Sequence, residues 1–100
     1  MRILAIASGS AGNCTYIEAD CSRLLIDCGI SAKTASDALL SRNIAPSSID
    51  GILITHEHPD HINGAFAFSK RFDIPIYINP PTYKAAKRVS RGAKINLFNT

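Results

Sequence analysis

All three histidines of the chain fall in one six-residue window, His56-Glu57-His58-Pro59-Asp60-His61. The spacing sorts these side chains into ligand positions. In extended backbone, residues two apart point the same way, so His56 and His58 converge on one ion while Glu57 faces the other side. Pro59 disfavours helical geometry at the residue before it and suits the first turn of a helix. The chain can turn there and send Asp60 and His61 toward a second position, and paired ions in such centres sit about 3.5–4 Å apart. The helix dipole favours Asp60 near an N-terminus. The same positive end, with a cation, keeps His61 neutral and able to ligate. A lone histidine at a strand end is ordinarily a surface or core residue. Three with an aspartate in six positions are not accounted for that way. The expectation is two divalent ions on His56, His58, Asp60 and His61, zinc first, with manganese or iron also fitting the donor set.

The elements around the window must deliver it. Gly51 to Thr55 is an apolar strand that runs straight into His56. Upstream, Ile3–Ala7, Cys14–Ala19 and Arg23–Cys28 read as three strands of an antiparallel meander, the third buried on both faces. A Gly/Ser loop over 8–13 separates the first two strands. Ser31 is placed as the N-cap of a helix to about Arg42, with Ala35, Ala38 and Leu39 inward. Downstream, Ile62–Phe72 reads as a helix, Pro75–Ile78 as a strand, Thr82–Ser90 as a basic helix and Ile95–Phe98 as a last strand. Antiparallel strands followed by β-α alternation predict an α/β protein with a mixed sheet and helices packed on it.

Composition narrows the class. One hundred residues, 46% hydrophobic and 19% charged, are globular and allow one small domain. Residues 1–69 hold four Lys/Arg against seven Asp/Glu, and residues 70–100 hold seven against one. That basic segment could face the phosphates of a nucleic acid, or it could be a solvated helix face. Cys14, Cys21 and Cys28 form no C-x-x-C pair and read as reduced, partly buried thiols. The first seven residues are too few for a signal-peptide core, and no run approaches the roughly 20 apolar residues of a membrane span. The expectation is a cytoplasmic protein with no membrane partner. The Gly-rich loop is not read as a dinucleotide fingerprint, because a strand and not a helix follows it.

The run Thr55 to His61, T-H-x-H-x-D-H, resembles the signature of the metallo-β-lactamase superfamily. The resemblance implies His56 and His58 on one metal, Asp60 and His61 on the other, with Asn63-Gly64 where the family opens its helix. Leu24-Leu25-Ile26-Asp27-Cys28-Gly29 is similar to the family's L-I-D-x-G strand. It implies that Asp27 supports the histidine loop from behind the ligands; a plain turn-forming Asp before Gly29 is the alternative. Ser8 to Cys14 and Phe72 to Tyr77 resemble one bacterial subgroup, the WalJ-like exonucleases and phosphodiesterases.

The implied activity is metal-dependent hydrolysis, here of phosphodiesters in DNA. A thioester hydrolase of the glyoxalase II type is the alternative; a β-lactamase or lactonase is disfavoured by the lack of a leader. Outside hydrolysis stand a non-catalytic metal-binding fragment and a diiron electron-transfer module. The family's domain is a longer, four-layer αβ/βα sandwich whose second half adds a histidine, a bridging aspartate and a final histidine. After His61 this chain has no histidine, and its sole acid is Asp73. Residues 1–100 are therefore expected to be the N-terminal portion of one such domain, needing a C-terminal half or a partner chain.

Overall fold

The computed structural model describes residues 1–7, 13–55, 63–85 and 92–97. Six strands form one sheet: β1 Arg2–Ala7, β2 Cys14–Ala19, β3 Ser22–Cys28, β4 Gly51–Ile54, β5 Ile76–Ile78 and β6 Ile95–Leu97. Their order across the sheet is their order in the chain. The first three pair antiparallel, and β3 to β6 pair parallel. The change of direction follows from the connections. A two-residue turn at Asp20-Cys21, with Asp20 at φ 53, returns β2 into β3. Every later strand is reached through a helix or turn, which is what a parallel neighbour needs.

Among the described residues are the α-helices α1 Ala32–Leu40, α2 Asn63–Phe72 and α3 Pro80–Ala85, with a 3-10 turn at Pro46–Ser48. Ser31 caps α1, its Oγ accepting from the Thr34 N–H at 3.1 Å. Asn43 in the left-handed region (φ 61) ends the turn after α1, and the Ile44 N–H bonds back to the Leu39 carbonyl. That places Ile44 in the core. Helix α3 starts at Pro80, two residues before the expected start. The cap is Asn79, whose Oδ1 accepts from the Thr82 N–H at 2.9 Å, and two prolines fit a first turn that needs no donors. The expected extension to Ser90 lies outside the described residues, as do Ile62 and Phe98 at the ends of their elements.

The core lies between the sheet and the helices. Tyr16, Leu25, Ile52 and Ile76 stand side by side across β2 to β5, all fully buried. Ala35 and Leu39 of α1 and Ala65, Phe66 and Phe68 of α2 cover them. Ser36 is buried in α1, whereas Ala38, expected inward, is half-buried. The opposite face of the sheet is only partly covered. Leu24, Ile26 and Leu53 are half-buried there, and Ile3 and Tyr77 are exposed. This corrects the expectation that the third strand is buried on both faces. The described helices pack on one side, so the apolar runs of β3 and β4 meet solvent on the other.

Helix α2 approaches the sheet at Gly64. A methyl group on Gly64 would overlap the Ile30 carbonyl oxygen and come within 2.9 Å of the Cys28 oxygen. Both obstacles are backbone and cannot rotate aside. The Gly64→Ala variant is expected to lose about 3 kcal/mol of stability or more, by analogy with overpacked cores. Urea unfolding followed by circular dichroism checks it; a midpoint like the parent's would mean that α2 does not seat here.

Candidate metal centre

The site is built from the carboxyl ends of β3 and β4, parallel neighbours whose ends lie side by side. Open parallel sheets bind ligands at that edge. Asp27 is the last residue but one of β3, held in the left-handed region at φ 57 and 7% exposed. Asp tolerates that conformation better than most residues. A buried carboxylate is costly unless its oxygens are bonded. Here Oδ1 accepts from the Thr55 N–H at 2.8 Å and Oδ2 from the Thr55 hydroxyl at 2.6 Å. Thr55 is the residue immediately before His56.

Residues 56–62 lie outside the described residues, and with them His56, His58, Asp60 and His61. Among the described residues, no three His, Cys, Asp or Glu side chains stand close enough together to hold a metal ion. What the structure does define is the frame around the candidate ligands. Thr55 at the loop's start is tied to Asp27, and Gly64 just past its end is pressed against Cys28 and Ile30. Both ends of the histidine loop are thus fixed on one segment, Asp27 to Ile30. Asp27 lies within β3 at positive φ, and its carboxylate bonds Thr55, the residue before His56.

Thr55 is the functional residue that spacing alone did not single out. Its signal was position, a hydroxyl residue between an apolar strand and the first histidine. The Cys28 and Ile30 carbonyls, which receive Gly64, carry no side-chain signal at all. Asp73 sits at φ 58 in the turn between α2 and β5, its carboxylate 3.0 Å from Lys94 Nζ. It therefore stands at the helix-to-strand turn expected for it, engaged at the surface.

The described basic residues beyond Ser69 lie on several elements. Lys70 and Arg71 occupy the last turn of α2, and Lys84 lies in the last turn of α3. A ten-residue helix is about 15 Å long, so Lys70 and Arg71 stand at the far end of α2 from the histidine loop. Cations at helix C-termini are favoured locally by the dipole. Lys87, Arg88 and Arg91 lie outside the described residues. No described helix is long and apolar enough to cross a membrane.

Comparison with known proteins bears on what this frame belongs to. Residues 7–92 match the family described as the metallo-beta-lactamase superfamily. The chain is 37% identical over 91 residues to exodeoxyribonuclease WalJ of Streptococcus pneumoniae, spanning 91% of this chain and 34% of that protein. It is 42% identical over 74 residues to ribonuclease J of Mycoplasma genitalium, 64% of this chain and 13% of that one. In three dimensions it is similar to a metallo-β-lactamase of Cronobacter sakazakii with a HARLDQ motif. That match has a TM-score of 0.76 at 13% identity and covers 88% of this chain and 36% of the other. The chain spans about a third of the length of the exodeoxyribonuclease it matches.

The bonds at Asp27 predict a graded series. Thr55→Val removes only the hydroxyl bond and is expected to cost about 1 kcal/mol. Asp27→Ala removes both acceptors and puts alanine at positive φ, a loss of about 3 kcal/mol. Asp27→Asn, which tolerates that φ and keeps one acceptor, should fall between. Urea denaturation of the three variants checks the order; equal losses for Thr55→Val and Asp27→Ala would mean that the backbone bond contributes nothing.

Proposed function

The chain belongs to the metallo-β-lactamase superfamily, and on that premise we propose that it carries the first half of a two-metal phosphodiesterase centre acting on DNA as an exonuclease. The observation that carries the proposal is the tie between Asp27 and Thr55, immediately before the histidine run. A loop that must hold two cations needs an anchored start, and outer partners of this kind orient metal ligands. The match to exodeoxyribonuclease WalJ supports the substrate class.

The donor set fits divalent metal. His56 and His58 would hold one ion, Asp60 and His61 the other, and zinc is the first choice for three imidazoles and a carboxylate. Bound divalent ions supply Lewis-acid activation of water and neutralise charge on the phosphoryl group. The residues of this chain act as ligands and positioners: Asp27 fixes the start of the loop through Thr55, and Gly64 lets its end seat against β3.

The rest of the domain is proposed to lie on the partly covered face of the sheet, over Leu24, Leu53 and Tyr77. It would supply the remaining ligands and the general acid. Basic residues beyond Ser69 are proposed to attract the DNA at long range. A cytoplasmic setting is proposed with this substrate.

Two measurements test the reading. Zinc affinity of the purified chain, by competition with a chromogenic chelator, is expected to fall at least tenfold in His58→Ala and about tenfold in Asp27→Asn. In the protein that contains the rest of the domain, nucleotide release from linear DNA should vanish with chelator and with His58→Ala. Release that survives both would overturn the assignment.

A further inference from the structure

A second reactive pair lies beside the metal frame. Cys14 opens β2 and Cys28 closes β3, and the two are direct partners across the antiparallel ladder. The pair stands at a bulge, with Asp27 the extra residue on β3; residues facing each other in a regular ladder have Cα atoms about 4.5–5.5 Å apart, inside the range that a disulfide spans. Both side chains are fully buried, and both are free thiols. Opposed across the ladder, the two sulfurs influence each other, with Cys14 on the donor side. Cys28 Sγ also lies 3.6 Å from the Ile30 carbonyl oxygen, the atom that limits Gly64. Cys21 is different, exposed in the β2–β3 turn and not paired with either.

Burial usually makes a thiol inert. Two features oppose that here. The Cys14 donor, helped by the Ile30 backbone, holds Cys28 below its ordinary thiol value, against the opposing pull of burial. Cys14 is pushed up, first by that same partner and then by burial, and stays protonated. The pair is therefore unequal: one sulfur is set to react first and the other waits opposite it. A second thiol already facing the first makes the closing step intramolecular, with the high effective concentration that confers.

We propose that Cys14 and Cys28 form a reversible disulfide, a redox modification site beside the histidine loop, closed by a hydroperoxide. The Cys28 sulfur attacks the peroxide and the O–O bond breaks, giving a sulfenic acid and, from hydrogen peroxide, one water (from an organic hydroperoxide, the alcohol). The Cys14 sulfur then attacks the sulfenic sulfur. The S–O bond breaks, an S–S bond forms, and the hydroxyl leaves with the Cys14 proton as a second water. Two electrons pass from the thiols to the peroxide, and a dithiol reductant reverses the change. In the oxidised form Cys28 has no S–H left to donate toward Ile30, so the turn that seats Gly64 loses that contact.

Hydrogen peroxide and the native chain provide the test, with Cys21→Ser to remove the exposed thiol. After oxidation, unreacted thiols are alkylated in denaturant and the digest is mapped by mass spectrometry. A linked Cys14–Cys28 peptide, lighter by two hydrogens and released by dithiothreitol, is expected in the parent and in Cys21→Ser. It should be absent in Cys14→Ala, where Cys28 instead accumulates as sulfenic or sulfinic acid. Cys14 and Cys28 both recovered fully alkylated, after a dose that oxidises Cys21 in the parent, would overturn the proposal. So would sulfinic acid at Cys28 in the parent without any cross-link. Because both outcomes are read on the parent chain, a variant that fails to fold leaves the test intact.

Discussion

A carboxylate taken out of water has to find donors, and near the end of β3 two of them come from Thr55, the residue that follows the next strand. That requirement ties Asp27 to Thr55 and sets where the histidine loop begins. The tie depends on the parallel register of β3 and β4, where Leu24, Leu25 and Ile26 pair with Gly51, Ile52 and Leu53. A register shift would carry Thr55 away from the carboxylate and cost the buried charge both of these bonds. The geometry of the loop start is thus held by an electrostatic demand as well as by packing.

The second hold is steric. Gly64 lets α2 come down onto the turn after β3, where its backbone meets the Cys28 and Ile30 carbonyls. Phe66 and Phe68 then reach the core over β3 to β5. The same short segment, Asp27 to Ile30, therefore receives both flanks of the loop. Cys28 lies in the middle of it, opposite Cys14 of the neighbouring strand. Chemistry at that sulfur acts on a segment where backbone, carboxylate and helix start all converge.

The sheet is unequal across its width and between its faces. Its antiparallel half, in which a two-residue turn joins β2 to β3, serves as a scaffold. Its parallel half brings the carboxyl ends of β3 and β4 to one edge, from which the chain runs into the candidate ligands. One face is sealed by helices, while the other leaves Leu24, Leu53 and Tyr77 partly open. Tyr77 leans over Gly51, where a side chain would come within 2.6 Å of its ring. Even on the open face, local packing is close enough to restrict what β4 can carry.

Much of this was legible in the sequence. The clustering of His56, His58, Asp60 and His61, the strand leading into them, the cap at Ser31 and the order of elements all follow from local rules of period, capping and proline chemistry. Those rules act within a few residues, so a linear reading captures them. It missed the start of α3, where the Asn79 side chain caps two prolines, and it took β3 as buried on both faces because an apolar run does not say which faces are covered. What only the tertiary structure decided is long-range: that Asp27 bonds Thr55 across 28 residues, that Gly64 meets the Ile30 backbone, and that Cys14 faces Cys28. Each depends on strand register and helix placement, which are set by the packing of the whole core rather than by neighbours in the chain.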